Sequence, residues 1–120
     1  MLKFQSLHLK EDTFGTPEYS APTPDKIVDG KPSFKTWLMS NPPENVLAAG
    51  VWEATPGAWQ SAKGHTSEFF TILAGISEFT EENGAVVRFQ TGDTFIMRPG
   101  CTGVWRVIEK TRKSFVTFAS

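Results

Sequence analysis

The stretch EFFTILAGISEFTEENGAVVRFQTGDTFIM, residues 68–97, decides the fold class. It separates into short runs rich in β-branched, aromatic and aliphatic residues, Glu68–Leu73, Ser77–Thr80, Ala85–Gln90 and Thr94–Met97. Each run is too short for a three-turn helix and each ends on a turn signal. Gly75, Asn83-Gly84 and Gly92-Asp93 provide those signals, since Gly and Asn accept the positive φ that β-branched residues resist. A hairpin with a tight primed turn is expected at Asn83-Gly84, and a second turn of similar kind at Gly92-Asp93. The pattern continues outward in both directions. Val46–Thr55 and Pro56-Gly57 precede it, and Pro99-Gly100, Gly103–Ile108 and Ser114–Phe118 follow. No run carries the caps and periodicity of a long helix, so the reading is all-β, a sandwich or barrel.

The front of the chain differs. Pro17, Pro22, Pro24, Pro32, Pro42 and Pro43 fall within residues 1–45, and proline removes a backbone donor and fixes φ. Residues 1–45 are therefore expected to form an irregular N-terminal arm that packs on the barrel or on a partner subunit, with the barrel at 46–120. Leu2–Leu9 and Phe34–Met39 are apolar enough to be edge strands or docked arms.

Composition narrows the function. A formal net charge of −1 leaves no basic surplus to neutralise a phosphate backbone or an anionic membrane. Cys101 is the only cysteine, which excludes an internal disulfide and a Cys-rich zinc site. The N-terminal residues alternate polar and apolar without a signal-peptide core, and stretches such as Phe69–Ile76 are too short to span a bilayer. A cytoplasmic protein is expected, with no nucleic-acid or membrane partner.

Two segments carry a family resemblance. Gly57-Ala-Trp-Gln-Ser-Ala-Lys63-Gly-His65-Thr-Ser-Glu68 runs through six residues to Gly75, and Gly92-Asp93 runs through a strand to Pro99-Gly100 and Trp105. Together they resemble the two cupin motifs, and with Gly50–Gly57 and Trp105–Lys113 the chain is similar to single-domain cupins related to ureidoglycine aminohydrolase. The resemblance implies a double-stranded β-helix (jelly-roll) barrel, commonly dimeric, with any ligand or metal in the barrel mouth. Metal-binding cupins use three His and one Glu. Here Glu68 matches the glutamate, Lys63 and His65 fall where the first His pair is counted from Gly57, and Gly103 stands where the later His would be.

Strand alternation then selects the residues that face inward. Glu68, Phe70 and Ile72 share one face, as do Gly103, Trp105 and Val107, so Trp105 is expected to fill the space beside Gly103. A carboxylate aimed into an apolar interior must be paired, protonated or bound. Glu68 is thus the leading catalytic and ligand-binding candidate, joined by Trp105, Phe70, Lys63 and Arg98; the Arg98 guanidinium suits a carboxylate, but the reading as a solvated surface arginine outweighs that role. For His65, the reading as a surface-loop residue outweighs that as a ligand. Cys101 beside Arg98 has the makings of an activated thiol, but with no placed base the inert reading is preferred. Trp37, Trp52, Trp59 and Trp105 read first as core.

Three function classes emerge. The first is a barrel that binds a small molecule without a tightly held metal or other cofactor. The second is a hydrolase or isomerase for a small polar nitrogen compound, with a divalent metal on His65 and Glu68. The third is an accessory subunit whose packed interior leaves no room for a ligand. In each case a homodimer paired through the arm or strand edges is expected.

Overall fold

The computed structural model describes residues 4–9, 14–40 and 47–119. Nine strands follow one another: β1 (Glu18–Ser20), β2 (Ile27–Gly30), β3 (Phe34–Ser40), β4 (Leu47–Ala54), β5 (Gly57–Ala62), β6 (Thr66–Glu81), β7 (Val86–Gln90), β8 (Thr94–Met97) and β9 (Thr102–Ala119). A 3-10 turn at Pro24–Lys26 is the only helical element among the described residues. The all-β reading therefore holds, and the strands join in a single curled sheet.

Two long strands form its spine. β6 pairs antiparallel with β9 from Thr66↔Ala119 to Glu81↔Gly103. On its other side β9 pairs first with β5, from Thr102 to Val107, and then with β4, from Thr111 to Phe118. β3 extends from β4 and β2 from β5, with β1 outside β3. β7 and β8 lie end to end along the free side of β6. Every strand is antiparallel to its neighbours, and the curled inner face holds one core of Ala54, Trp59, Phe70, Ile72, Phe79, Phe89, Met97, Trp105 and Val107.

Several boundaries differ from expectation for identifiable reasons. Residues 68–80 and 103–118 each belong to one long strand where sequence reading saw two. Gly75 lies at a bulge, not a turn: the register shifts between Ile72 and Ser77. The inserted residue flips the alternation, so that β6 buries Glu68, Phe70 and Ile72 before the bend and Ser77 and Phe79 after it. Gly57–Ala62 is a strand that sequence reading missed. Phe34–Ser40 is no edge strand, since it sits between β1 and β4. Of Leu2–Leu9, Leu2 falls outside the described residues and Phe4–Leu9 form no strand, although Gln5 Nε2 donates to the Met39 carbonyl at 3.1 Å.

The turn chemistry is also refined. Glu81 N–H donates to Ala85 O at 2.8 Å, Gly84 N–H to Glu81 O at 2.9 Å, and positive φ is confined to Gly84. This hairpin is a three-residue loop closed by a glycine bulge in place of the expected two-residue primed turn. Gly92-Asp93 does not join paired strands. It carries the chain from β7 to β8 while both stay on β6, with Gly92 N–H on Ile72 O and Ile72 N–H on Asp93 O, each at 2.9 Å.

Gly75 is the residue this bend cannot replace. Its φ is +91°, and a Cβ there would lie 2.1 Å from the Lys110 carbonyl oxygen. Left-handed strain and overpacking add, so Gly75→Ala is expected to cost about 2–5 kcal/mol in urea unfolding. An unchanged unfolding midpoint would show that the bend does not set the alternation.

Candidate functional site

The inner face carries an unusual row. Thr36 on β3 stands opposite Trp52 on β4, Trp52 opposite Lys113 on β9, and Lys113 opposite Ile72 on β6. Lys113 is thus a lysine on the buried side of a central strand, with its side chain 8% exposed. Its Nζ lies 4.5 Å from the ring centroid of Trp52, 4.7 Å from that of Trp105 and 4.8 Å from that of Phe70. Three aromatic rings and a buried ammonium make a cation–π box, which offsets part of the desolvation cost.

The charge is balanced by Glu68, only 4% exposed. Its Oε2 is 2.5 Å from Lys113 Nζ and its Oε1 accepts a hydrogen bond from Lys63 Nζ at 2.5 Å. Both oxygens of Glu68 are thus charge-paired at close range, Oε1 with Lys63 and Oε2 with Lys113. Lys63 is delivered by a turn that is fastened to the Pro99-Gly100 turn. Lys63 N–H donates to Cys101 O at 3.0 Å, and Gly100 N–H to Gly64 O at 2.8 Å.

Three titratable groups with two positive charges behave unequally. Burial pushes the Glu68 carboxyl upward, but Lys113 and then Lys63 outweigh it and hold the group below the ordinary carboxylate range. Burial pushes the Lys113 ammonium below the usual lysine range; Glu68 draws it back up and Lys63 presses it further down. The cluster carries one positive charge more than its carboxylate neutralises.

Beside this cluster opens a cavity of about 220 Å³. Trp52, Trp59 and Trp105 form much of its wall, Trp59 and Trp105 being stacked at 6.1 Å and 12°. Lys63, Glu68 and Lys113 supply its charge, with Thr36, Ser61 and Thr117 as further polar groups. The Trp105 ring is fixed from behind. Its Nε1 donates to Ser77 Oγ at 3.2 Å, Ser77 Oγ lies 2.7 Å from Thr111 Oγ1, and Thr111 Oγ1 donates to Glu109 O at 2.8 Å.

The sequence candidates separate accordingly. Glu68, Lys63 and Trp105 meet at the cavity, whereas Phe70 lies behind it, 2% exposed, as one wall of the Lys113 box. Arg98 is exposed on a different surface depression with Glu81 and Glu82 and does not reach the site. His65 is exposed and does not line the cavity. Gly103 owes its identity to close packing. A Cβ there would meet Thr80 O at 2.3 Å and the Phe79 ring at 2.7 Å, so Phe79, and not Trp105 alone, closes the space beside it. Burial and Glu81 push the Cys101 thiol up, so Arg98 does not activate it. Trp37 stands apart from the other tryptophans, donating from Nε1 to Gly15 O at 3.0 Å.

These donors do not fit the divalent metal that a standard cupin holds. Both oxygens of Glu68 face ammonium groups, Gly103 offers no side chain, and among the described residues no group of three His, Cys, Asp or Glu converges. Lys113, the buried partner of Glu68, is the site residue that sequence reading does not single out. The signal was present: continuing the odd-numbered alternation from Trp105 and Val107 through Thr111 reaches Lys113 and Phe115, but the strand had been ended at Ile108.

The depressed Glu68 carboxyl makes a pH prediction. The folded state binds this proton more weakly than the unfolded chain, so the stabilisation is present above the unfolded value of about 4.3 and is lost as pH falls through the folded value. Urea unfolding of wild type should weaken with acidification below about pH 4.3 more steeply than that of Glu68→Gln. Parallel slopes for the two proteins would contradict the pairing.

The comparisons agree with this architecture. The model of the EutQ-like cupin domain matches residues 42–115. A Pseudomonas syringae protein of unknown function from the DUF861 family is 25% identical, with a TM-score of 0.75 over 85% of this chain and 43% of its own. The cupin domain of Schizosaccharomyces pombe Cnp3 is 24% identical, with a TM-score of 0.62 over 72% of this chain and 65% of its own. The Clostridium difficile EutQ protein is 16% identical, with a TM-score of 0.63 over 83% of this chain and 80% of its own. The chain thus spans less than half of the Pseudomonas protein and just under two thirds of the yeast domain. No curated protein matches. With its jelly-roll sheet, inward glutamate and both cupin turns in place, the chain belongs to the family of EutQ-like cupin domains.

Proposed function

We propose that the barrel binds a small organic anion, with the Lys63–Glu68–Lys113 cluster standing where other cupins hold a metal. The observation that carries this reading is the uncompensated positive charge beside a cavity. Two ammonium groups share one carboxylate, and each retains further N–H donors after its contact with Glu68. A carboxylate that enters the cavity completes the charge balance, whereas a cation meets two ammoniums first.

Size and lining refine the class. A cavity of about 220 Å³ is below the range of drug-sized pockets and suits a molecule of a few carbon atoms. The tryptophan wall favours an apolar or planar body, and Thr36, Ser61 and Thr117 offer hydroxyls to polar substituents. The open volume also argues against a barrel that is merely packed as an accessory subunit. The metal-dependent hydrolase reading has no support in the donor set.

The test is a titration of the intrinsic tryptophan fluorescence with lactate and acetate, since Trp52, Trp59 and Trp105 line the cavity. Saturable quenching is expected in wild type, and loss of one charge-assisted hydrogen bond in Lys63→Met should weaken it by about 10–100-fold. Metal analysis of protein purified without chelator runs beside it. One equivalent of manganese, iron, nickel or zinc per chain, lost in Glu68→Gln, would overturn the reading.

A further inference from the structure

Resting on the reading of the cavity as a carboxylate site, we propose that Lys113 is a covalent amine that forms an imine with a small 2-oxo acid. A lysine that serves only to neutralise Glu68 has no need of an adjoining cavity. Lys113 has one: its Nζ is held among Trp52, Trp105 and Phe70, and the residue lines the open volume. Its position is fixed, because the residue springs from the middle of β9, paired on one side with β4 and on the other with β6.

The neighbours match the steps of imine formation. Nucleophilic attack requires the neutral amine, and an apolar enclosure with a second ammonium nearby favours that form. Glu68 Oε2, 2.5 Å from Nζ, is placed to take the proton that Lys113 releases. A 2-oxo acid puts its carboxylate and its carbonyl on adjacent carbons. Lys63 and Lys113 meet on the two oxygens of one carboxylate, which sets the first to hold the acid group while the second faces the carbonyl.

The reaction balances without an added oxidant or reductant. The Nζ lone pair forms a bond to the carbonyl carbon, and the C=O π pair moves to oxygen, which takes a proton from the Lys63 ammonium. The carbinolamine nitrogen then passes its second proton to Lys63, and its freed lone pair expels the hydroxyl, which leaves as water with the proton held on Glu68. The product is a protonated C=N, and the starting charges are restored. When protonated, the imine keeps the positive charge opposite Glu68, so the ion pair that stabilises the barrel survives the adduct.

The experiment uses wild-type protein with pyruvate and sodium borohydride, followed by peptide mapping, with lactate quenching measured in parallel. Borohydride reduces the imine to a carboxyethyl-lysine that survives digestion. The proposal expects Lys113 to be labelled about ten-fold or more faster than the exposed Lys110, because the cavity holds pyruvate against its Nζ. Excess lactate should protect Lys113 and leave Lys110 unaffected. Lactate and pyruvate both quenching with Lys113 unlabelled, or labelled no faster than Lys110, would overturn the imine and leave the anion site standing. Failure of both acids to quench would remove the anion site and the imine with it, and quenching by lactate alone would overturn the imine only.

Discussion

A carboxylate buried in an apolar barrel has to be neutralised from within, and the structure is arranged around that requirement. Glu68 on β6 is met by Lys113 from β9 and Lys63 from the β5–β6 turn. Neither Glu68 nor Lys113 is stable in this place alone, because each buried ion carries a desolvation cost of about several kcal/mol that only an opposite charge at close range offsets. Lys113 adds the faces of three aromatic rings. The aromatic side chains around the cavity therefore have two duties, as core and as the electrostatic surround of an ammonium.

The backbone features follow from bringing these groups together. β9 serves as a common partner for β4, β5 and β6, and the bulge at Gly75 lets β6 turn with it while exchanging which residues face inward. Without that exchange Glu68 and Phe79 could not both point into the same core. The chain of hydroxyls at the bend, Ser77 and Thr111, satisfies the indole N–H of Trp105 and thereby holds the ring that faces Lys113. On the opposite face from Lys113, Arg112 pairs with the buried Glu53, adding a charged contact between β9 and β4.

Much of this was legible in the sequence, and the failures have physical causes. Short β-rich runs and glycine turns are local features, so the fold class and the hairpin at Asn83-Gly84 were within reach. Gly75 was read as a turn because a glycine that permits a bulge looks the same as one that ends a strand. Glu68, Trp105 and Lys63 emerged from alternation and motif spacing, which operate within a single segment. Lys113 did not, because its role depends on pairings with β4 and β6 and on a strand whose polar stretch Glu109–Lys113 resembles a solvated loop. Arg98 and His65 lie exposed on outward-facing turns, in line with the surface readings preferred for both.

As a EutQ-like cupin domain, the chain keeps the barrel and the inward glutamate while an internal lysine answers the glutamate's charge. That exchange has a thermodynamic signature, since removing one member of a buried pair strands the other, whereas removing both leaves an apolar core. The most direct measurement is a double-mutant cycle of Glu68→Leu and Lys113→Met followed by urea unfolding. Each single change should cost about 3–5 kcal/mol, and the double variant should return to within about 2 kcal/mol of wild type. Losses that simply add would mean that Glu68 and Lys113 do not depend on each other, and the account built on their pairing would be wrong.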